Sequence, residues 1–308
     1  MITEKKFVPV MLTPFDESGA IDYDALTSIT LYYLDAGAKG LFANCQSSEM
    51  FDLSPKERLQ VIAHVVRITE GRLPVVAAGN FGATLSEQAE FIKQVYSLGV
   101  QAVILLTNQL VKANEPEEVL EANIMELFSL TGAIPVGFYE CPVPYKIILS
   151  PALLARLAGT GRVTYHKDTC LDLAEVEKKN ELTQTQPDFG LYDAYMAHAV
   201  DSLKAGSAGL SCIQGNYFPE LVVWLCNNYN NRELTGDVKR VQQFFIDEMQ
   251  VMHEDYPIAA KYFLQKRGLP MSTYVRKKGN TAVSETTVER MDQLYNRYHA
   301  LARNLSIL

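Results

Sequence analysis

Two residues of this sequence, a lysine and a tyrosine, have the types and spacing needed for chemistry on a carbonyl group. Lys167 follows the apolar run 163–166, and Tyr139 ends the preceding run, 134–139. A lysine amine in apolar surroundings can lose its proton near neutral pH and attack a carbonyl, and a phenol on the neighbouring strand can carry the protons that follow. The pair therefore indicates Schiff-base chemistry. By itself, a lysine at a strand end is more often a solvated charge.

The elements around this pair follow a strand and helix repeat of about 30 residues. Short apolar runs, typical of buried strands, occur at 7–11, 40–43, 74–78, 102–106, 134–139, 163–166, 189–192 and 208–213. Between them lie amphipathic segments such as 57–66, where apolar residues recur three and four positions apart. Ser54 and Glu57 match a capping box before that segment. Strands that are apolar on both faces belong in a parallel sheet covered by helices, so eight repeats predict an α/β fold, a closed (β/α)8 TIM barrel.

Beyond the eighth run the pattern changes to helical segments without strands between them, at 236–255, 259–266 and 286–305. We therefore expect a barrel domain at residues 1–230 and a C-terminal helical extension at 231–308. In an α/β barrel the reactive groups collect at the carboxyl ends of the strands. The residues that the pattern places there include Lys167, Tyr139, Ser47 and Cys212. This shared position favours Schiff-base chemistry over an isolated surface charge.

Composition and charge argue against several other classes of protein. A chain of 308 residues with 48% hydrophobic residues can bury a large core, and a net charge of -8 without a basic block argues against nucleic-acid binding. No segment has the character of a membrane span. Residues 1–7 lead directly into the first predicted strand, which leaves no room for a signal peptide. The five cysteines lack the spacing of a disulfide framework. We expect a cytoplasmic protein.

No motif for a cofactor stands out. The sequence has no glycine-rich phosphate loop, serine elbow or dinucleotide fingerprint, and its histidines lack a metalloprotease spacing. Cysteines near strand ends, at 45, 141, 170 and 212, leave open a thiol nucleophile or a metal-dependent lyase, although packing as small buried residues is the commoner role. His166 should face away from Lys167, because side chains alternate along a strand. We expect chemistry without a metal or cofactor.

Together these residues resemble the dihydrodipicolinate synthase and N-acetylneuraminate lyase family of class I aldolases, over nearly the whole chain. Segment 45–49, Cys-Gln-Ser-Ser-Glu, is similar to the family's Gly-Thr/Ser-Thr-Gly-Glu loop, with both glycines and the first hydroxyl residue replaced. Segment 139–142, Tyr-Glu-Cys-Pro, resembles the family's Tyr-Asn-x-Pro. Lys167 and Asp168 resemble its strand-six lysine and the acid after it, and segment 205–211 resembles its glycine-rich eighth strand.

The resemblance implies a reaction and a set of roles. Lys167 would attack the carbonyl of pyruvate or another 2-oxo acid, and the covalent imine would withdraw electrons for aldol cleavage, aldol addition or loss of water. Tyr139 would carry the protons, oriented by the hydroxyl of Ser47. In the family, the loop that segment 45–49 resembles binds the carboxylate of the 2-oxo acid, and we call this segment the carboxylate loop. Within it, Gln46 and Ser48 would contact the substrate. Leu210 would contact it through its backbone carbonyl. From its place after the seventh strand, Asp193 is a candidate for binding substrate hydroxyls, with a helix cap as an equal alternative.

Departures from the family restrict the reaction. Pro144 stands where dihydrodipicolinate synthases have an arginine for a second carboxylate, and 107–110 replaces the segment that gives a tyrosine to a neighbouring subunit. The sequence thus favours a lyase or aldolase of a 2-oxo-3-deoxy sugar acid or sialic-acid-like substrate. A dehydratase using the same imine and a non-catalytic 2-oxo-acid-binding protein are the alternatives. Lys146 is a candidate for binding an acidic substrate, although a solvated loop lysine is commoner. The resemblance also implies a homo-oligomer, a tetramer or a dimer.

Overall fold

Strand formation follows the apolar runs of the sequence. The computed structural model describes residues 4–279, 281–305 and 307, so residues 1–3 of the segment expected to lead into the first strand lie outside it. The eight strands are β1 (Lys6–Phe7), β2 (Leu41–Phe42), β3 (Val75–Ala78), β4 (Ala102–Leu106), β5 (Val136–Tyr139), β6 (Val163–Asp168), β7 (Gly190–Asp193) and β8 (Gly209–Leu210). Neighbouring strands pair in parallel throughout.

The sheet closes into a barrel where the chain after β1 meets β2. Hydrogen-bonded strands run in the order β1, β8, β7, β6, β5, β4, β3, β2. The remaining gap is bridged by Val10, which pairs in parallel with Phe42. The Met11 N–H donates to the Phe42 carbonyl at 3.1 Å, and the Phe42 N–H donates to the Pro9 carbonyl at 3.0 Å. The expected (β/α)8 barrel is confirmed.

Helices cover the outside of the barrel. They are α1 (Tyr23–Asp35), α2 (Pro55–Thr69), α3 (Leu85–Ser97), α4 (Glu117–Thr131), α5 (Pro151–Ala158), α6 (Leu173–Thr183), α7 (Ala199–Lys204) and α8 (Pro219–Asn228). The predicted capping box opens α2: the Ser54 N–H donates to the Glu57 carboxylate at 2.8 Å, and the Glu57 N–H donates to Ser54 Oγ at 3.3 Å. Both donors would otherwise lack a partner at the helix start.

Two apolar clusters result from this layering. The larger one lies between the sheet and the helices, and the smaller one fills the barrel interior. On β6 the ring of Tyr165 belongs to the interior cluster. Since side chains alternate along a strand, Lys167 also faces the interior. His166 and Asp168 face the other way, towards Lys179 of α6, as the alternation predicted for His166.

The C-terminal segment forms helices packed on the barrel. They are α9 (Thr235–Asp247), α10 (Met249–His253), α11 (Ile258–Lys266) and α12 (Glu285–Asn304). The helix expected over 236–255 is interrupted at Glu248, whose carboxylate binds Arg297 of α12 at 2.8 Å. The domain boundary predicted at 230/231 falls in the connection between α8 and α9 and remains a prediction. No helix in the described part of the chain has the length and apolar character needed to cross a membrane.

Candidate active site

A cavity of about 490 Å³ opens at the carboxyl ends of the barrel strands. Side chains from the barrel and from the C-terminal extension both line it. Among the lining residues are Gln46, Ser47, Tyr139, Lys146, Lys167, Tyr256 and Lys277. A volume of this size suits a small organic molecule. The predicted position of the site, at the strand ends, agrees with this cavity.

Lys167 forms part of the cavity wall from the interior side of β6. The residue is only 4% exposed, and it pairs directly with Tyr139 of β5 in the sheet register. Its Nζ lies 4.2 Å from the centre of the Tyr139 ring. Burial lowers the pKa of Lys167 below its ordinary value of 10.5, and the positive charge of Lys146 lowers it further. A larger share of the amine is therefore neutral and nucleophilic at a given pH.

Cysteines surround the lysine without supplying an anion at neutral pH. Cys45, Cys141 and Cys212 are the nearby groups whose thiolates would raise the pKa of Lys167. Burial raises the pKa of each of these thiols, that of Cys212 to about 12. Since the thiols stay protonated, they act as small apolar neighbours. This environment maintains the lowered pKa of the lysine.

Tyr139 and Gln46 are linked across the cavity floor. The Tyr139 hydroxyl donates to Gln46 Oε1 at 3.3 Å. Burial raises the pKa of Tyr139 well above its ordinary value, so the phenol keeps its proton at neutral pH. The sequence-predicted pair of Lys167 and Tyr139 is thus brought together, with Gln46 and Ser47 on the same wall.

Ser48 of the predicted carboxylate loop faces the protein rather than the cavity. Its hydroxyl donates to the Met11 carbonyl at 2.7 Å and accepts the Cys45 N–H at 3.1 Å. The side chain is fully buried. Ser48 therefore holds the loop in place, and the loop residues that line the cavity are Gln46, Ser47 and Glu49.

Leu210 and Asp193 also lie outside the cavity wall. The Leu210 carbonyl, expected to face the substrate, accepts the Val8 N–H at 2.9 Å within the barrel. Asp193 is buried, with Oδ1 accepting the Tyr195 N–H at 2.8 Å and Oδ2 lying 2.9 Å from His198 Nε2. Asp193 therefore belongs to a local turn and an ion pair away from the cavity wall. It caps neither the helical turn at 196–198 nor α7, whose N-cap residues are Tyr195 and His198.

Glu49 explains why the carboxylate loop depends on the C-terminal extension. Its backbone is left-handed, with φ of 58°. The carboxylate accepts from Lys261 Nζ at 2.7 Å and from the Arg276 N–H at 2.7 Å. Lys261 also donates to the Tyr274 carbonyl at 2.7 Å. A buried ion pair with further hydrogen bonds thus fixes the loop against α11, a role that the sequence analysis did not assign to Glu49.

Tyr256 is a cavity residue that the sequence analysis also missed. It lies between α10 and α11, immediately before Pro257, and its hydroxyl accepts from Asn216 Nδ2 at 2.6 Å. The only sequence signal near Tyr256 is Pro257, which interrupts the helical pattern of the extension. Another cavity residue, Lys146, donates to the Thr169 carbonyl at 2.5 Å. The sequence left Lys146 either as a candidate for binding an acidic substrate or as a solvated loop lysine, and this contact holds its amine at the cavity wall.

Behind Lys167, a charged cluster lies on the opposite face of β6. Lys179 Nζ is 2.7 Å from Glu140 Oε1 and 2.6 Å from Asp168 Oδ2, and His166 Nε2 is 3.4 Å from both oxygens. Glu140, His166 and Asp168 have the ligand types of a metal site. The Lys179 ammonium already lies between the two carboxylates, so this set holds its own cation. The cluster therefore suits a structural role.

Burial of this cluster changes the pKa of its members. Burial alone would lower the pKa of His166, but the neighbouring Asp168 and Glu140 carboxylates, each 3.4 Å from Nε2, outweigh it and raise the pKa. For Asp168, burial acts to raise the pKa, while the contacts with His166 and Lys179 bring it well below its ordinary value. Mutual neutralisation is the condition under which charges are tolerated inside a protein.

The chain also matches a known family. Residues 4–296 match the model of the dihydrodipicolinate synthetase family. The chain belongs to this family. A 4-hydroxy-tetrahydrodipicolinate synthase of Shewanella piezotolerans is 27% identical over 266 residues, which cover 85% of this chain and 87% of that protein. Family membership places the chain among the class I aldolases and lyases, as the sequence predicted.

Solved structures show the same fold. YagE, a prophage protein of the dihydrodipicolinic acid synthase family from Escherichia coli in complex with pyruvate, has a TM-score of 0.82 at 21% identity, covering 96% of this chain and 98% of that one. CdNal from Clostridium difficile in complex with mannosamine has a TM-score of 0.82 at 17% identity, covering 96% and 99%. At sequence identities this low, the similarity to these two structures shows a shared fold and does not by itself show a shared substrate.

Proposed function

We propose that this protein is a lyase or aldolase that forms a Schiff base between Lys167 and pyruvate or another 2-oxo acid. The observation that carries the proposal is the position of Lys167: a buried amine at the cavity wall, with a lowered pKa, 4.2 Å from the Tyr139 ring centre. A desolvated lysine beside a buried phenol has the components of imine catalysis. The complex of the related YagE with pyruvate supports the choice of a 2-oxo acid.

The proposed reaction uses each of the cavity groups on the barrel side. The neutral Lys167 amine attacks the 2-oxo carbon, and the resulting carbinolamine loses its hydroxyl as water to give the protonated imine. The substrate hydroxyl on the second carbon beyond the imine carbon then loses its proton, the bond between the first and second carbons breaks, and the imine accepts its electron pair, which releases an aldehyde and leaves an enamine. Protonation of the enamine carbon and hydrolysis of the imine release pyruvate. Tyr139 carries the proton between these steps, with Gln46 and Ser47 orienting the phenol and the substrate carboxylate.

The proposed substrate is a 2-oxo-3-deoxy sugar acid or a sialic-acid-like molecule. A cavity of about 490 Å³ holds more than pyruvate alone. Lys146, anchored on its wall, supplies a fixed positive charge for an acidic substrate. Pro144, in the position of the arginine of dihydrodipicolinate synthases, supplies none. The complex of CdNal with mannosamine, an amino sugar, fits the same class of substrate.

We also propose a cofactor requirement, a location and an assembly for this protein, as the sequence led us to expect. The chemistry needs no cofactor beyond the covalent imine, and the partner is a small molecule. The protein is proposed to be a cytoplasmic homo-oligomer, a tetramer or a dimer. Sedimentation at concentrations across the range from nanomolar to micromolar tests the assembly, and a monomer at all concentrations would contradict it.

Covalent trapping tests the central step. The protein is incubated with pyruvate and sodium borohydride, and the modified lysine is located by peptide mass spectrometry. We expect the adduct on Lys167 and its loss in Lys167→Ala, with Lys277→Ala, which removes another lysine of the cavity wall, as a control that still traps pyruvate. An adduct on a different lysine, or none with several 2-oxo acids, would reject the proposal.

A substrate screen then separates cleavage from dehydration. Candidate 2-oxo-3-deoxy sugar acids and sialic acids are assayed for pyruvate with lactate dehydrogenase. Cleavage releases pyruvate, whereas a dehydratase consumes the acid without doing so. Trapping without consumption of any acid would favour a non-catalytic binding protein over the proposed enzyme.

A further inference from the structure

The amide of Asn216 has an orientation that its neighbours determine. Its Nδ2 lies 2.9 Å from the Val10 carbonyl, which can only accept a hydrogen bond. On the other side, the Tyr33 hydroxyl donates to Asn216 Oδ1. The Leu12 N–H contacts the Tyr33 oxygen, so the hydrogen of that phenol is available for Asn216. A flipped amide would place two acceptors together at Val10.

This orientation also determines the hydrogen bonding of Tyr256. The second hydrogen on Asn216 Nδ2 is donated to the Tyr256 hydroxyl oxygen, and the distance from nitrogen to oxygen is 2.6 Å. Because the phenol accepts from Asn216, its own hydrogen is free to point elsewhere. The Ser47 hydroxyl lies next to the phenol, and both residues line the cavity. Tyr256 therefore presents a hydrogen-bond donor to the cavity from the C-terminal extension.

Tyr256 and Tyr139 reach two consecutive residues of one loop. Tyr139 donates to Gln46, while Tyr256 lies against Ser47. Burial raises the pKa of Tyr256, and the contacts with Ser47 and Asn216 act in the opposite direction. The phenol thus keeps its proton at neutral pH, and Asn216 stabilises the phenolate when the proton leaves.

We propose that Tyr256 is a second proton-carrying residue of the site, delivering a proton through Ser47 when the carbinolamine on Lys167 collapses. This inference rests on the proposed Schiff-base function. As the nitrogen lone pair of Lys167 forms the C=N bond, the C–O bond breaks with its electron pair on oxygen. That oxygen takes a proton from Ser47, Ser47 takes one from Tyr256, and water leaves. The products are the iminium cation and the Tyr256 phenolate, and hydrolysis of the imine returns the proton.

Tyr217 provides a matched control. It is a fully buried tyrosine near the same junction, and its hydroxyl donates to the Met252 carbonyl at 2.8 Å rather than to a cavity group. Tyr217→Phe and Tyr256→Phe therefore each remove one buried hydroxyl while keeping the ring. Loss of packing or of one hydrogen bond affects both variants, whereas loss of a proton carrier affects only Tyr256→Phe.

Exchange of the pyruvate methyl protons for deuterium, followed by NMR, measures formation and tautomerisation of the imine without a second substrate. We expect Tyr256→Phe to slow the exchange by about 10²-fold or more, with an altered pH profile and an unchanged pyruvate concentration for half-maximal rate. Tyr217→Phe should exchange at the wild-type rate. Equal rates in Tyr256→Phe and wild type would overturn the inference.

A second variant separates a relay from independent contributions. Ser47→Ala should slow the exchange to a similar extent, and the double variant should be no slower than the slower single variant, since the two residues act in one path. Additive losses would overturn the relay. Failure of the wild type to form any imine with pyruvate would reject the proposed function itself, whereas normal trapping with unaffected exchange in Tyr256→Phe rejects only the relay.

Discussion

Lys146 and Lys167 are two cations on the wall of one cavity, and the first lowers the pKa of the second. Burial is the larger cause of the shift, and Lys146 adds repulsion between like charges. Lys146 is held in place by the Thr169 carbonyl. One lysine thus tunes the nucleophilicity of another, as happens where two ammonium groups share a low-dielectric site.

The pH dependence of imine formation reports this coupling. The neutral amine of Lys167 reacts, so the rate with pyruvate should rise with pH and level off below 10.5. Lys146→Met should shift the half-maximal rate to higher pH, because removal of a cation raises the pKa of Lys167. Imine formation at each pH is measured by reduction with cyanoborohydride and mass spectrometry. Lys277→Met is the control, because Lys277 lines the same cavity but is not among the groups that shift the pKa of Lys167. Identical profiles in Lys146→Met and wild type would refute the coupling.

The hydroxyl of Tyr139 can be tested apart from its ring. Tyr139→Phe keeps the ring beside Lys167 Nζ but removes the hydrogen bond to Gln46. We expect turnover to fall by about 10²- to 10⁴-fold, the usual loss for one positioned proton carrier. Borohydride trapping over hours should still label Lys167. Steady-state kinetics and mass spectrometry on the same preparation check both points. Normal turnover would show that Tyr139 is a packing residue.

The reaction of dihydrodipicolinate synthases provides another test. Pyruvate with aspartate semialdehyde should give little or no dihydrodipicolinate, because Pro144 cannot replace a bidentate arginine contact to a second carboxylate. The product is followed by its absorbance with a dedicated synthase assayed in parallel. Turnover comparable to that synthase would contradict this expectation, and its loss in Lys146→Met would then identify Lys146 as the source of charge.

The charged cluster behind Lys167 should contribute strongly to stability. Lys179→Met leaves the Glu140 and Asp168 carboxylates buried beside each other without their shared cation. Removal of one partner from a buried ion pair typically costs about 3–5 kcal/mol. Urea titration measures the free energy of unfolding. Lys178→Met, which removes an exposed ion pair with Glu181 in the same helix, should cost less than about 1 kcal/mol. Equal stability of the two variants would disprove the assignment.

The sequence was sufficient for the barrel and for the pair at its centre. Strand ends follow from apolar runs, and parallel register then brings Tyr139 opposite Lys167. The sequence was insufficient where the direction of a side chain within a short turn decides whether that side chain reaches the cavity. Ser47 and Ser48 are adjacent and chemically identical, yet one lines the cavity and the other binds main chain.

Contacts between distant elements were also beyond the sequence pattern. Lys178 and Lys179 are neighbours in a highly charged helix, and a rotation of about 100° per residue sends one to solvent and the other into the cluster. Tyr256 follows the predicted barrel, and nothing in the helical period of the extension shows that it packs back onto Ser47. Tertiary packing, rather than local propensity, determines such positions.

The dependence of the carboxylate loop on the last part of the chain has a consequence for protein synthesis. Glu49 leaves the ribosome more than two hundred residues before Lys261, its partner in the folded protein. When the whole barrel sequence has emerged from the ribosome, Lys261 and Tyr256 have not yet followed it. Glu49 then lacks its ion pair, and the cavity lacks the Tyr256 side chain. Domains form on the ribosome from the N-terminal side. We therefore expect the cavity to be completed late, when translation of the tail brings Lys261 and Tyr256 to a barrel that already contains Lys167.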